Sequence, residues 1–388
     1  MKRVALVRGP NLNSWEMQNF APLRNDYEFI TFCSHWNNFD LSEIPFPVHT
    51  LWSWGQMLRM RAARHVIEHV WGDYHDLVHL DRALHGFDIV HTPESMYYCS
   101  YQAALAKRKL GFKLVVTVWE NLPLNYNLAA TRRLKETVMN EADLFLAVTQ
   151  RAKEVLVLEG APVEKIAVQM PGIDIDHFRP LPKDRSTLLR FDCHDNDLVI
   201  LFVAHLTVQK GIFDLLYAMK SLLLRLGSDA PVKLLIAGTG PERERLSSLV
   251  TQLQLEARVR FIGPHPYSSM PLIHNLADVF VLPSQPALRW QEQFGYVLVE
   301  SMACGKPVIS TESGAIAEVV GNAGLLVQPN DYLALAGALE RLISSSSLRQ
   351  ELGRKARSRA EQLFDVRRVA LQFKNHYENL YRPAKPHA

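Results

Sequence analysis

The chain lacks most of the features that mark membrane, secreted or nucleic-acid-binding proteins. No uninterrupted apolar run reaches the roughly 18 residues that a membrane span requires. The four cysteines stand apart and form no Cys-x-x-Cys pair, which argues against a metal or disulfide framework and favours the reducing cytoplasm. The net charge of +3 is too small to require a nucleic acid as a partner.

Two motifs are also incomplete. Gly238-Thr239-Gly240 follows an apolar run, but Arg243 stands at the third glycine position of the dinucleotide fingerprint, so we interpret this turn as structural. An Asp-x-Asp sequence at 174–176 lies in a proline-rich segment rather than at the end of a predicted strand. We therefore expect no metal site.

The composition that is present describes a globular protein of two domains. With 388 residues, 48% of them hydrophobic and 21% charged, the chain is too long for one ordinary core. Short Val, Ile and Leu runs alternate with longer helical patterns, which is typical of a parallel sheet covered on both faces. A stiff segment at 171–182, with three prolines and one glycine, separates two such sets. The sequence thus predicts two doubly wound α/β domains, residues 1–178 and 179–365, with strands at 4–7, 29–32, 89–91, 114–118, 144–148, 199–204, 233–237, 259–262, 279–282 and 308–309.

The most informative segment begins at Glu292. The loop that carries Glu292 passes through Phe294 and Gly295 into a predicted helix, whose first turn presents free backbone N–H groups and a positive dipole end. A second carboxylate, Glu300, lies one to two turns inside this helix, and Gly305 suits its end. The parts fit a nucleotide-sugar, with N–H groups for a diphosphate, one acid for sugar hydroxyls and the other for the ribose diol.

A basic residue follows another predicted strand. Strand 199–204 leads into a loop that contains Lys210 and Gly211, and the glycine permits a tight turn before the next helix. Ligands of doubly wound sheets bind at the carboxyl ends of the strands. We therefore expect the Lys210 ammonium to neutralise charge that builds on a departing diphosphate.

These segments resemble the retaining glycosyltransferases of family 4. The resemblance implies the GT-B architecture, in which two Rossmann-like domains face each other across a cleft and a C-terminal helix, at about 366–388, packs back on the first domain. It also implies transfer of a hexose from a nucleotide-diphosphate sugar, a UDP- or GDP-sugar being the first expectation, without a metal or further cofactor. The matching stretches are the proline-rich connector 171–182, Lys210-Gly211, Glu292-x7-Glu300 with Phe294-Gly295, 302–309 and 313–320.

The resemblance assigns roles to individual residues. Glu292 would orient the sugar hydroxyls, and Lys210 would counter the diphosphate charge. Glu120 completes the expected catalytic set from its own position, because an acid at a strand's carboxyl end is placed to hydrogen-bond a sugar or acceptor hydroxyl. Gly9 ends the first predicted strand, where a ligand site and an ordinary turn both need a glycine. The expected donor-binding residues are Gly9, His205, Gly263, whose backbone would approach the base, Arg289, Phe294, Gly295, Tyr296 and Glu300.

Two positions depart from the family pattern. His205 stands where an arginine is usual, and histidine is often neutral near pH 7, so diphosphate binding is expected to be weaker, pH-sensitive or shared with Arg289. Trp119 stands at or near a position where many members carry a histidine that helps to position the donor sugar. That role passes to Glu120 or Asn121, or it is lost.

The acceptor and partners stay open in the sequence. Arg59, Arg61 and Arg64 share a predicted helix, which indicates either a solvated face or a peripheral contact with the inner face of a membrane. The acceptor is expected to be a glycan, a lipid-linked sugar or a small molecule. The alternatives are a sugar-nucleotide epimerase or a phosphorylase on the same scaffold, and a noncatalytic nucleotide-sugar-binding protein, which His205 and Trp119 keep open.

Overall fold

The protein folds into two compact units. The structure is a computed structural model that describes residues 1–57, 67, 70–227 and 229–382. The first unit is Met1–Gly172 together with Val366–Ala388, and the second is Ile173–Asp365. The boundary lies before the expected residue 178, because Phe178 is fully buried and packs against Tyr267 of the second unit, with ring centres 5.4 Å apart.

Within the described ranges the first unit contains a seven-stranded parallel sheet. Its strands are β1 Lys2–Gly9, β2 Tyr27–Ser34, β3 Val48–Leu51, β4 Ile89–Pro93, β5 Lys113–Val118, β6 Leu144–Ala147 and β7 Ile166–Val168. The strand order is β3-β2-β1-β4-β5-β6-β7. The chain runs outward from β1 on one side and returns to β4 on the other, so the β1–β4 boundary is the switch point of this sheet.

Both faces of the first sheet are buried. In β1, Val4 and Leu6 join one apolar cluster while Ala5 and Val7 join the other, as the two-residue period of a strand requires. The C-terminal helix Val366–Asn379 covers the face of Val4 and Leu6 with four buried side chains, Val369, Ala370, Phe373 and Tyr377. The other α-helices described in this unit are α1 Ser14–Met17, α2 Trp54–Met57, α3 Leu80–Ala83, α4 Tyr98–Leu110, α5 Ala129–Glu141 and α6 Gln150–Leu158.

The second unit contains a six-stranded parallel sheet in the part of the chain that the structure describes. Its strands are β8 Leu198–Val203, β9 Val232–Ala237, β10 Val259–Gly263, β11 Val279–Leu282, β12 Val308–Thr311 and β13 Gly324–Val327. The order β10-β9-β8-β11-β12-β13 places the switch point between β8 and β11. The prediction of two doubly wound parallel α/β domains is confirmed.

Helices surround the second sheet. They are α7 Arg185–Arg190, α8 Ile212–Leu226, α9 Arg243–Gln252, α10 Met270–Asn275, α11 Tyr296–Ala303, α12 Ile316–Val320, α13 Tyr332–Ser344 and α14 Ser346–Leu363. Across both units, no helix formed by described residues has the length and apolar character needed to cross a membrane. Arg59, Arg61 and Arg64 lie outside the described residues.

Candidate functional site

Lys210 and Glu292 meet at the carboxyl end of the second sheet. Lys210 ends the short 3-10 helix Val208–Lys210 after β8, and Glu292 lies in the loop between β11 and α11. The Lys210 Nζ–Glu292 Oε2 distance is 2.7 Å, and Ser284 Oγ donates a hydrogen bond of 2.8 Å to the same oxygen. The Lys210 ammonium also lies 4.6 Å from the centre of the Trp290 ring. The fold thus brings the two predicted charged residues together, with the carboxylate buried and the ammonium partly exposed.

Two glycines hold the strand ends around this pair. Gly211 has φ +71°, and a Cβ there would stand 1.7 Å from the carbonyl oxygen of Pro283. A Cβ at Gly238 would stand 2.0 Å from the carbonyl oxygen of Ala204. The backbones that follow β9, β8 and β11 therefore pack directly on one another, which fixes the position of the Lys210 loop.

The backbone of Glu292 is held from the side of β12. Ala315 N donates to Glu292 O over 2.9 Å, and a Cβ at Gly314, where φ is +59°, would stand 2.0 Å from that oxygen. Only glycine permits this approach, because both the space and the left-handed backbone exclude a side chain. The Ser-Gly-Ala turn thus positions the carboxylate through its main chain.

Gly295 and Phe294 shape the start of α11. Gly295, with φ +82°, precedes the helix and accepts a hydrogen bond of 2.9 Å from Leu298 N. The Phe294 side chain is 1% exposed and packs edge-on against Phe364 and Tyr296, with ring centres 5.7 Å and 5.2 Å away. Phe294 therefore anchors the loop in the interior.

Glu300 has a partner that the sequence did not reveal. Its side chain is buried in the second turn of α11, and His274 Nε2 lies 3.2 Å from Glu300 Oε2. An ionised Glu300 places the imidazole proton on Nε2, and the buried Nδ1 of His274 has no hydrogen-bond partner in the described structure. His274 stands in an apolar helical pattern that carries no signal for this role.

The remaining donor-side residues lie at the surface or in turns. His205 follows β8 and is exposed, and Arg289 is exposed in the turn that Ala287 and Trp290 close. Gly263 has φ +77° with nothing within 4 Å of its Cβ position, so the backbone conformation rather than crowding requires glycine there.

Glu120 closes its own loop in the first unit. One carboxylate oxygen accepts hydrogen bonds from Asn121 N at 3.0 Å and Leu122 N at 2.8 Å, and the other accepts one from Asn125 Nδ2 at 3.1 Å. The side chain is 6% exposed. Both carboxylate oxygens therefore accept hydrogen bonds from the loop that follows β5. We expected this carboxylate to bind a sugar, but most of its hydrogen-bonding capacity is used within its own loop.

Glu94 is a second acid beside this loop, and it was not among the predicted site residues. It is buried, has φ +43°, and accepts hydrogen bonds at Oε1 from Trp119 N at 2.8 Å and Glu120 N at 3.1 Å. Burial, and then the charge of Glu120, raises the pKa of Glu94 to about 8. Its Oε2 is buried without a hydrogen-bond partner in the described part of the chain.

Neither unit assembles a cluster of metal ligands from described residues. No group of three or more His, Cys, Asp or Glu side chains there has the arrangement of a metal site. The four cysteines are free and buried, and burial raises their pKa values, to about 11 for Cys33 and Cys193.

Two family models match the chain. The model for Glycosyltransferase Family 4 matches residues 24–177, and the model for Glycosyl transferases group 1 matches residues 190–359. The chain belongs to the family-4 glycosyltransferases. The matched ranges contain every predicted site residue except Gly9.

Curated relatives of this family-4 chain include two D-inositol 3-phosphate glycosyltransferases. That of Rhodococcus erythropolis (strain PR4 / NBRC 100887) is 31% identical over 293 residues, which cover 71% of this chain and 64% of the relative. That of Corynebacterium jeikeium (strain K411) is 32% identical over 242 residues, which cover 59% and 56%. The chain therefore spans less than two thirds of the length of these relatives.

Solved structures share the fold. Anabaena Alr3699/HepE in complex with UDP superimposes with a TM-score of 0.79 at 21% identity, covering 98% of this chain and 100% of the other. WaaG, a glycosyltransferase involved in lipopolysaccharide biosynthesis, gives a TM-score of 0.70 at 16% identity, covering 96% and 99%. This family-4 protein thus has the GT-B fold, in which each of the two units is Rossmann-like.

Proposed function

We propose that the protein transfers a hexose from a nucleoside-diphosphate sugar to a hydroxyl of an acceptor, with retention of configuration and without a metal ion. The observation that carries this proposal is the Lys210–Glu292 pair, joined over 2.7 Å at the switch point of the second sheet. An ammonium and a carboxylate in contact suit a donor that joins an anionic diphosphate to a polyhydroxylated ring.

In the proposed reaction, Lys210 stabilises the negative charge that develops as the bond between the sugar carbon and the diphosphate breaks. The Glu292 carboxylate accepts hydrogen bonds from hydroxyls of the sugar. The acceptor oxygen bonds to the same face of the sugar carbon, and its proton passes to the departing phosphate oxygen, so no separate base is required. Glu300, supported by His274, accepts hydrogen bonds from the ribose hydroxyls.

The relatives support the choice of donor. Alr3699/HepE forms complexes with UDP and with UDP-glucose, so we propose a UDP-hexose as the first donor and a GDP-hexose as the second.

The relatives named for D-inositol 3-phosphate support a small polyol as one acceptor class, and a glycan or a lipid-linked sugar is the other. A cytoplasmic protein with access to the inner membrane face would meet both classes.

Release of UDP from UDP-glucose tests this function. The acceptor panel is D-inositol 3-phosphate, glucose, a disaccharide and a lipid-linked sugar, with water as the acceptor in the blank. We expect one member to accelerate release and to yield a product that retains the donor's anomeric configuration, and Lys210→Ala to lose this activity while Lys355→Ala, an exposed control on α14, keeps it. Conversion of the donor to another sugar nucleotide without an acceptor would instead indicate an epimerase, and no turnover of UDP- or GDP-hexoses would contradict the proposal.

A further inference from the structure

A buried amide in the loop after β11 joins three other segments of the second unit. Gln285 is 8% exposed, and its backbone N donates to Gln209 O, in the loop after β8, over 2.7 Å. Its side-chain Nε2 donates to Asp214 Oδ2 over 2.5 Å and to Pro283 O over 3.0 Å, while its Oε1 accepts from Asn330 N at 2.6 Å. Asp214 lies in the first turn of α8, and Asn330 lies in the loop after β13. One residue thus connects the loops that follow three strands with the start of a helix.

The orientation of this amide is fixed by backbone groups. A carbonyl oxygen only accepts hydrogen bonds, so the amide atom that faces Pro283 O is the nitrogen. A backbone N–H only donates, so the amide atom that faces Asn330 N is the oxygen. The two protons of Nε2 then serve Pro283 O and Asp214, and this assignment does not depend on the charge of Asp214.

The contacts of Gln285 act on the neighbours of the charged pair. Gln209, which is held by the Gln285 backbone, immediately precedes Lys210. Ser284, the residue before Gln285, donates to Glu292 Oε2, the oxygen that also contacts the lysine ammonium. A displacement of Gln285 would therefore move the ammonium relative to the carboxylate.

The Lys210 loop is closely packed on one side only. Gly211 approaches the carbonyl of Pro283 there, whereas a cavity of about 220 Å³ adjoins Gln209, Asp214 and Asn330. A segment beside a void lacks packing contacts on that side. The hydrogen bonds of the buried amide therefore hold the loop where packing does not.

We infer that Gln285 positions the Lys210 ammonium for the diphosphate of the donor. This inference rests on the proposed function and adds to it a positioning residue, which acts through Lys210. An ammonium that is already in place when the donor arrives leaves less ordering to be done on binding, and it faces the leaving group in a defined position. Loss of the amide should therefore weaken the binding of UDP and slow its release from UDP-glucose.

Two sets of variants separate positioning from a general loss of structure. Gln285→Met keeps the length of the side chain but removes the amide, and Gln350→Met, on the exposed surface of α14, is the matched control. Both are combined with Lys210→Ala, because a residue that acts through Lys210 loses its effect once the ammonium is gone. In the second set, Gln285→Glu/Asp214→Asn exchanges the donor and the acceptor of this pair at unchanged net charge, whereas Gln285→Glu alone places two carboxyl groups against each other.

The readouts are the dissociation constant of UDP and the rate of UDP release from UDP-glucose in water, with urea unfolding of each variant as the check on folding. We expect Gln285→Met to weaken UDP binding and to slow release by about fivefold or more, the size expected for one or two lost hydrogen bonds. In the Lys210→Ala background, the same change should alter UDP affinity by less than about twofold. Gln350→Met should have no effect in either background. The exchange variant should recover most of the affinity that Gln285→Glu loses.

Three results would count against the positioning role or the function beneath it. UDP affinity and release of Gln285→Met within about twofold of the unaltered protein would overturn the inference, as would equal losses of affinity with and without Lys210. If Gln285→Met does not fold, the exchange variant decides, and an affinity as poor as that of Gln285→Glu would overturn the inference. Failure of the unaltered protein to bind both UDP and UDP-glucose would instead contradict the proposed function, and with it this inference.

Discussion

At the scale of single residues, the proposed function depends most on the Lys210–Glu292 pair. Glu292→Gln keeps the shape of the side chain and the bond from Ser284, but it removes the charge that faces Lys210 and the sugar. We expect the turnover number to fall by about tenfold to a thousandfold, because charge aimed at a transition state contributes on that scale. Steady-state UDP release measures the effect, with the exposed Glu351→Gln as a control. An unchanged turnover number would show that the charge of Glu292 does not contribute to the reaction.

Glu94 makes stability depend on pH. Its pKa is raised from 4.5 to about 8, so between these values the folded protein keeps a proton that the unfolded chain has lost. The contribution of Glu94 to stability is therefore most favourable below pH 4.5 and falls as the pH rises towards about 8. Glu94→Gln mimics the protonated acid and does not titrate. We expect the difference in melting temperature between Glu94→Gln and the unaltered protein to grow in favour of the variant from pH 5 to pH 8; a difference that does not change with pH would contradict this.

Individual residues also show which contacts the sequence alone could not predict. Lys210 and Glu292 were each recognisable from their motifs, but their contact depends on the packing of two strand ends that are distant in sequence. Glu120 was expected to meet a sugar, and the structure engages its oxygens within its own loop because three donors lie close by in the chain. His274 had no local pattern, since its contact with Glu300 arises only when two helices pack. Glu94 follows a predicted strand, but its hydrogen bonds to the backbone of Trp119 and Glu120 depend on tertiary packing.

At the scale of elements, glycines at the strand ends allow the close backbone packing that positions the Lys210 loop. Gly211→Ala would place a methyl group 1.7 Å from the Pro283 oxygen, while Gly111→Ala meets no atom within 4 Å at a similar positive φ. Gly111→Ala lowers the free energy of unfolding only by the backbone strain, about 1–2 kcal/mol. Gly211→Ala adds to that strain a steric clash that is relieved only if β8 or β11 moves. We expect Gly211→Ala to lower the free energy of unfolding in urea by clearly more than Gly111→Ala. Equal losses would mean that the strand ends are not packed as described.

The C-terminal helix provides a second test at this scale. Phe373 is 5% exposed against β1, whereas Leu371 on the same helix is 54% exposed. Phe373→Ala should destabilise the first unit by about 3–5 kcal/mol, the usual cost of removing a buried aromatic ring. Leu371→Ala should change it by less than about 0.5 kcal/mol. Denaturant unfolding of both variants checks the order, and a larger loss for Leu371→Ala would contradict the packing.

The sequence predicted central strands better than edge strands. The inner strands are continuous apolar runs, which a sheet covered on both faces requires. The strands that were not predicted, β3, β7 and β13, are short and lie at the sheet edges, and β13 is half-buried along its whole length. An edge strand needs less apolar character, so composition alone does not distinguish it from a loop.

At the scale of the whole molecule, each unit is built on its own parallel sheet. The second unit carries the charged pair that we propose binds the donor. The number and type of the domains followed from the alternation of apolar runs, because that pattern repeats twice around a proline-rich connector. Which residues gather at each switch point did not follow, since this depends on strand order and on loops held from several helices.

Calorimetric titration of the protein with UDP-glucose tests most directly whether the donor binds at the Lys210–Glu292 pair. We predict saturable binding with one site per chain, weakened about tenfold or more in Lys210→Ala, as expected for a lost charge-assisted contact, and unchanged in Lys355→Ala. Equal affinity in the unaltered protein and Lys210→Ala would show that the donor does not bind at the Lys210–Glu292 pair.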